Sequence, residues 1–279
     1  MSRRDEVLVT TDWVARHGAD PSLRLVEVDE DAAAYAEGHL PGAVAWHWRD
    51  DLHEDLRREF IGPDALLALL RRSGVGPDTT VILYGGNNNW FATYAFWLLR
   101  YQGFDRVRLM DGGRRKWELE DRELVVEVPG HEPADPGPLA GPRAELRAFR
   151  DDVLAHLARP RASMVDVRSP AEYAGEMPAP PHLPQEQAQV SGHIPGAVNI
   201  PWASAAREDG SFKADEDLAA LYAGAGVTPD MDVIAYCRIG ERSSHTWFVL
   251  HELLGYERVR NYDGSWTEYG SLVGVPVER

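Results

Sequence analysis

The sequence predicts an α/β protein built from two tandem copies of one module, each a mostly parallel sheet flanked by helices. The strongest observation is an internal repeat, because four segments of the first half recur in the same order in the second half. The paired segments are 25–29 with 164–168, 38–44 with 192–198, 81–84 with 233–236, and 105–113 with 257–265. The second observation is that short apolar segments alternate with helical patterns in each copy, which is typical of parallel α/β folds. A shared turn would explain one match but not an ordered series.

Runs of apolar residues predict four strands in each copy. In the first copy the strands cover 26–28, 43–45, 81–84 and 107–109, and in the second copy 165–167, 197–200, 233–236 and 259–260. Helical patterns cover 63–73, 215–223 and 244–254. The last of these helices has a broad apolar surface and is predicted to stop at Gly255. Strands that alternate with helices favour parallel pairing through right-handed crossovers.

The stretch between the two copies is rich in proline and glycine and has no periodicity, which predicts a semi-rigid linker. We therefore divide the chain into a first module at 1–127, a linker at 128–145 and a second module at 146–279. The second copy also carries an additional proline-rich segment at 176–191, which is predicted to form a surface loop.

The composition excludes several classes of function. The 279 residues are 44% hydrophobic and 27% charged, which is typical of a soluble globular protein. The sequence has no apolar run near the ~20 residues that span a bilayer, and no apolar segment follows the basic residues at its start, so we expect neither a membrane helix nor a signal peptide. A net charge of −16 argues against nucleic acid or an anionic membrane as a partner. A single cysteine excludes an internal disulfide and favours the reducing cytoplasm.

That single cysteine, Cys237, is the most informative residue. It directly follows the predicted strand 233–236, at the strand end where ligands bind in parallel sheets. Arg238 and Arg242 lie nearby and a helix follows, so we expect the thiol pKa to be lowered. Gly240 lets the loop curl, so that successive N–H groups form a cradle for an anion.

Two anion chemistries suit such a loop. We expect Arg238 and Arg242 to hold an oxyanion at its mouth and Ser243 or Ser244 to cap the next helix. Phosphoryl transfer by cysteine phosphatases uses five residues between the cysteine and an arginine. Here four residues separate Cys237 from Arg242. The shorter loop favours the smaller sulfur atom of a sulfane donor such as thiosulfate.

Three separated motifs resemble the rhodanese family. Segments 259–269 and 35–43 resemble its C-terminal and N-terminal signatures, and 237–242 resembles the six-residue active loop of thiosulfate sulfurtransferases. The stretch 237–274 closely resembles the actinobacterial thiosulfate sulfurtransferases of the CysA type. The resemblance covers nearly the whole chain as a tandem pair of rhodanese modules.

The resemblance implies a double displacement. Cys237 would take the outer sulfur of thiosulfate, release sulfite and pass the sulfur to a thiophilic acceptor such as cyanide or a thiol. The residues expected to bind the substrate are those of the loop: Arg238, Ile239, Gly240, Glu241 and Arg242. Three further residues are expected to support it: Asp166 and Arg168, which match the family's Asp-x-Arg motif, and Ser243. The second module would then be catalytic and the first inactive, because Gly85 occupies the place of Cys237 in the repeat.

Alternatives remain at this stage. A 3-mercaptopyruvate sulfurtransferase shares the fold, but its loop usually carries small neutral residues after the cysteine. A persulfide carrier or regulatory module that delivers sulfur to a partner protein is a second alternative, and a phosphatase is the weakest. Two substrate contacts of mammalian thiosulfate enzymes cannot be transferred, because Ile239 stands in place of a lysine and Glu172 in place of an arginine. We predict no cofactor and no metal, since the His and acidic residues at 47–54 lack ligand spacing. His39 and His193 recur at equivalent positions, which predicts a role in the fold.

Overall fold

The structure is a computed structural model that describes residues 3–29, 31–179 and 187–279. The chain folds as two compact units. The first unit comprises Met1–Arg143 with Arg207–Phe212, and the second comprises Ala144–Ala206 with Lys213–Arg279. Residues 180–186 of the proline-rich segment predicted as a surface loop lie outside the described residues. Residues 126–143 contain neither helix nor strand. In the described part of the chain, no helix has the length and apolar character needed to cross a membrane.

A five-stranded parallel sheet forms the centre of the first unit, in the order β1-β5-β4-β2-β3. Its strands are β1 Leu8–Val9, β2 Leu23–Asp29, β3 Val44–His47, β4 Thr80–Tyr84 and β5 Val107–Met110. Its helices are α1 Arg3–Val7, α2 Thr11–His17, α3 Ala32–Glu37, α4 Trp48–Leu52, α5 Pro63–Arg72, α6 Gly86–Tyr101 and α7 Gly113–Leu119. The central strand β4 is buried from Val81 to Tyr84, as expected for a parallel strand covered by helices.

A four-stranded parallel sheet forms the centre of the second unit, in the order β7-β6-β8-β9. Its strands are β6 Ala162–Asp166, β7 Val198–Asn199, β8 Asp232–Tyr236 and β9 Val259–Tyr262. Its helices are α8 Arg150–His156, α9 Pro170–Tyr173, α10 Asp215–Gly224, α11 Glu241–Trp247 and α12 Ser265–Tyr269. The order of these strands matches β3-β2-β4-β5 of the first unit. The predicted fold class, two α/β modules with parallel sheets, is therefore confirmed.

The helix predicted at 244–254 differs in its start and its pitch. It begins earlier, as α11 at Glu241, and continues as a π-helix over Phe248–Leu253. The apolar pattern predicts a start at Ser244, whereas the left-handed turn at Gly240 starts the helix at Glu241. The long aromatic helix α6 and the short strand β1 were not predicted.

The repeated histidines have equivalent roles in the two units. The ring of His39 stacks on Tyr35 at 3.7 Å, and its Nδ1 donates to the Tyr35 carbonyl oxygen at 2.9 Å. The ring of His193 stacks on Tyr173 at 3.6 Å and makes the matching 2.9 Å bond to the Tyr173 carbonyl oxygen. The predicted role of both histidines in the fold is confirmed.

Candidate active site

Cys237 is the first residue after β8, at the carboxyl end of the sheet in the second unit. Its side chain is 0% exposed. Its N–H donates to Ser265 Oγ at 3.0 Å, and its carbonyl oxygen accepts from the N–H of Trp266 at 3.0 Å. Ser265 and Trp266 begin α12, so the loop that carries the cysteine is fixed to the segment after β9 as well as to β8.

Backbone N–H donors approach the sulfur from the loop itself. The N–H of Gly240 donates to Cys237 Sγ at 3.1 Å, and the N–H of Ser243 also forms a hydrogen bond to the thiol. Gly240 has a φ of +101, and a Cβ at this position would lie 2.6 Å from Asp263 Cα. Only glycine suits both the backbone angle and the close approach. The loop therefore curls around the sulfur, as the sequence pattern indicates.

The pKa of Cys237 shifts in the direction opposite to the sequence-based expectation. Burial raises the pKa of the thiol, and the negative charge of Glu241 raises it further. Arg242 and the N–H groups of Ser243 and Gly240 lower the pKa without reversing the shift. The expectation of a lowered pKa is wrong because the sequence shows the arginines but neither the depth of the site nor the carboxylate beside the sulfur.

Arg242 forms a buried ion pair with Glu172 from α9. Its Nη1 and Nη2 donate to the two carboxylate oxygens of Glu172 at 2.9 Å each, and Arg242 is only 4% exposed. Burial opposes ionisation of Glu172, but hydrogen bonds from Arg242 and Ser169 hold its pKa at about 2. The prediction that Arg242 holds an oxyanion at the mouth is corrected, because a buried carboxylate requires a counter-charge and Arg242 supplies it.

The other loop residues also differ from the expected arrangement. Arg238 is buried rather than placed at the mouth, and its carbonyl oxygen accepts from the N–H of Thr267 at 3.0 Å. Its positive charge favours the ionised form of Glu241. Ile239 is half-buried, whereas the other residues of 237–242 are buried.

Asp166, Arg168 and Ser243 lie beneath or beside the loop. Asp166 ends β6 and pairs with Tyr236, the residue before Cys237. Arg168 donates to Asp166 Oδ2 at 2.6 Å and to the Gly192 carbonyl oxygen at 2.7 Å, and both side chains of the pair are buried. Ser243 Oγ donates to Asn261 Oδ1 of β9 at 2.6 Å.

The first unit repeats the backbone of this loop without the cysteine. Gly85 follows β4 as Cys237 follows β8, and its carbonyl oxygen accepts from the N–H of Arg114 at 3.0 Å, the counterpart of the Trp266 contact. A Cβ at Gly85 would lie 2.3 Å from the carbonyl oxygen of Val28. The position therefore lacks both a thiol and the space for one.

Comparison with known proteins agrees with this duplicated architecture. Residues 10–120 and 149–272 each match the family described as the rhodanese-like domain. The chain belongs to the rhodanese family. A protein of Saccharopolyspora erythraea, provisionally named a thiosulfate sulfurtransferase, is 55% identical over 275 residues, which cover 99% of this chain and 97% of that protein. The sulfur carrier protein TtuD of Thermus thermophilus is 52% identical over 279 residues, which cover 98% of this rhodanese and 97% of TtuD.

Solved structures show the same fold. A structure of EanB with a cysteine persulfide and ergothioneine has a TM-score of 0.86 at 22% identity, and the match covers 99% of this chain and 71% of EanB. YnjE has a TM-score of 0.84 at 27% identity, with 98% of this chain and 69% of YnjE covered. The likeness to EanB concerns the fold alone.

Two features of the site were not predicted from the sequence. One is the pairing of Glu172 with Arg242, although the unusual acidic residue at 172 was a signal that a basic partner lies nearby. The other is Ser265, which binds the N–H of Cys237. Ser265 aligns with Gly113 of the first copy, and both have a φ of +53. A serine at a position where the other copy has glycine was the signal.

Proposed function

We propose that this rhodanese is a thiosulfate:cyanide sulfurtransferase that works by double displacement through a persulfide on Cys237. The observation that carries the proposal is the curled loop, in which the Gly240 N–H donates to Cys237 Sγ at 3.1 Å. A cradle of backbone N–H donors stabilises negative charge on sulfur. The same donors suit the anionic outer sulfur of a persulfide.

In the first half of the reaction, Cys237 is the nucleophile. The thiolate attacks the outer sulfur of thiosulfate, and a new S–S bond forms to Cys237. The bond between the two sulfur atoms of thiosulfate breaks, and its electron pair leaves on sulfite. In the second half, cyanide attacks the outer sulfur of the persulfide. Thiocyanate leaves, and the electron pair of the broken S–S bond returns to Cys237 as a thiolate. No external oxidant, cofactor or metal takes part in either half.

The remaining residues of the loop bind and shape the site in this proposal. Gly240 supplies the N–H donor, Arg238 supplies positive charge, and Ile239 is the half-buried residue of the loop. Arg242 acts through its ion pair with Glu172, which fixes the first turn of α11. Asp166, Arg168 and Ser243 hold the ends of the strands beneath the loop.

We assign catalysis to the module at 146–279 and a structural role to the module at 1–127, joined by the linker 128–145. The lack of space at Gly85 supports this division. We place the protein in the reducing cytoplasm, because its lone thiol must stay reduced to act.

Thiosulfate rather than 3-mercaptopyruvate is the proposed donor. The test is the ratio of kcat/KM for the two donors with cyanide as acceptor. We expect thiosulfate to be preferred by at least an order of magnitude. A preference of that size for 3-mercaptopyruvate would contradict the assignment.

A persulfide carrier is the second candidate function, and the 52% identity to sulfur carrier protein TtuD favours it. Both functions require a persulfide on Cys237, so they are distinguished by the rate at which the persulfide sulfur passes to the acceptor. A carrier would load one sulfur per chain from thiosulfate but release it slowly to cyanide and faster to a protein thiol. An enzyme would turn over many equivalents of cyanide.

A further inference from the structure

Glu241 places a carboxyl group beside the reacting sulfur. It is the first residue of α11, and it is 1% exposed. The thiol of Cys237 donates to Glu241 Oε2 across 3.6 Å. Because a substrate of this site is an anion, a charged carboxylate in this position would repel it. Electrostatic attraction of the substrate therefore does not explain why an acidic residue is buried at this position.

Ion pairs that involve other carboxylates surround Cys237 and Glu241. Arg242 lies against Glu172, and behind Gly240 the carboxylate of Asp263 accepts from Arg147 at 2.8 Å. Arg238 and Arg242 both favour the ionised form of Glu241. Beneath the loop, Arg168 is bound to Asp166. Glu241 differs from these carboxylates in that one of its oxygens meets the nucleophile.

A buried thiol and a buried carboxyl in hydrogen-bond contact behave as one titrating pair. Burial raises the pKa of Glu241, and burial together with the charge of Glu241 raises the pKa of Cys237. Two negative charges so close in a low-dielectric site are unfavourable, so the pair retains one proton after the first has left.

We propose that Glu241 accepts the thiol proton of Cys237 as the sulfur attacks the donor, and returns it when the thiolate is regenerated. The proposal rests on the sulfurtransferase function proposed above. The S–H bond breaks and an O–H bond forms on Glu241, while the sulfur electron pair forms the bond to the donor sulfur. Once protonated, Glu241 is neutral and no longer repels the anionic sulfur donor. When the acceptor removes the outer sulfur, the S–S electron pair returns to Cys237 and the proton moves back from Glu241.

The test compares the wild type with Glu241→Gln, which has the same size but accepts no proton, and with the conservative variant Glu241→Asp. Two rates are measured between about pH 6 and about pH 8. One is single-turnover sulfur gain from thiosulfate by intact mass, and the other is alkylation of Cys237 by iodoacetamide. We expect the wild-type rates to change by about twofold or less, because the proton moves within the pair.

In Glu241→Gln the proton must leave to solvent, so both rates should rise by about tenfold per pH unit until the thiol is ionised. Glu241→Asp should restore much of the flat profile. Parallel profiles in wild type and Glu241→Gln, separated by a constant factor, would indicate a purely structural role and overturn the proposal. If Glu241→Gln fails to fold, the wild type decides alone: a rise of about tenfold per pH unit in alkylation would overturn it.

The two readouts separate this inference from the proposed function. A wild type that gains no sulfur but shows the flat alkylation profile would defeat the sulfurtransferase assignment and keep the shared proton. A wild type that gains sulfur with the profile of Glu241→Gln would keep the sulfurtransferase assignment and defeat the role of Glu241.

Discussion

The residues around Cys237 show what a sequence does and does not reveal about a single site. The choice of Cys237 as the proposed nucleophile came from the sequence, because one cysteine stands at a strand end in a repeat whose other copy has Gly85. The direction of the thiol pKa was not predictable, because it depends on burial and on a contact of 3.6 Å to Glu241. The partner of Arg242 was also hidden, since Glu172 is 70 residues away in the chain.

The ion pair of Glu172 and Arg242 gives a prediction for stability. Replacing Glu172 by Gln leaves the buried Arg242 guanidinium without its counter-charge, so we expect the free energy of unfolding at pH 7 to fall by about 3 kcal/mol. Chemical denaturation of wild type and variant measures the difference. The double variant Glu172→Gln/Arg242→Met is the control, and it should recover part of the loss because no buried charge remains.

The same pair predicts a dependence on pH. The pKa of Glu172 is lowered from 4.5 to about 2 in the folded chain, so its stabilising effect is present above about pH 4.5 and is lost as the pH falls through about 2. The stability gap between wild type and Glu172→Gln should therefore narrow steadily across that acid range. A gap that stays constant from pH 7 to about pH 2 would contradict the ionised pair.

At the scale of elements, the two loops after β4 and β8 have related backbones and different contents. In both, the second residue of a later helix, α7 or α12, donates its N–H to the carbonyl oxygen of the residue that follows the strand, Arg114 to Gly85 and Trp266 to Cys237. The repeat made this alignment predictable from sequence. The carbonyl oxygen of Val28 that fills the space at Gly85 belongs to a neighbouring strand, so no local pattern could reveal it.

This crowding predicts the effect of a small substitution. Gly85→Ala places a Cβ 2.3 Å from the Val28 carbonyl oxygen, so the strands must separate. We expect a loss of about 1–3 kcal/mol in the free energy of unfolding, as for other overpacked cores. Gly130→Ala is the matched control, because a Cβ there meets nothing within 4 Å. Equal stabilities of the two variants would show that the first module has room for a side chain at this position.

At the scale of the whole molecule, the alternation of strands and helices and the ordered repeat were sufficient to predict two parallel α/β modules. The sequence could not assign Arg207–Phe212, which lies in the second half of the chain but belongs to the first unit. There Lys116 approaches Asp209, and the N–H of Phe212 donates to Asp111 Oδ1 at 2.9 Å. Such contacts join segments about a hundred positions apart, and neither periodicity nor turn chemistry encodes them.

The central claim is that Cys237 carries sulfur between donor and acceptor. Intact-mass measurement of the full chain after mixing with thiosulfate tests it most directly, with Cys237→Ser as the control. We predict that the wild type gains the mass of one sulfur atom, that cyanide removes it, and that Cys237→Ser gains nothing. A wild type whose mass does not change, or a Cys237→Ser variant that gains sulfur equally, would contradict the claim.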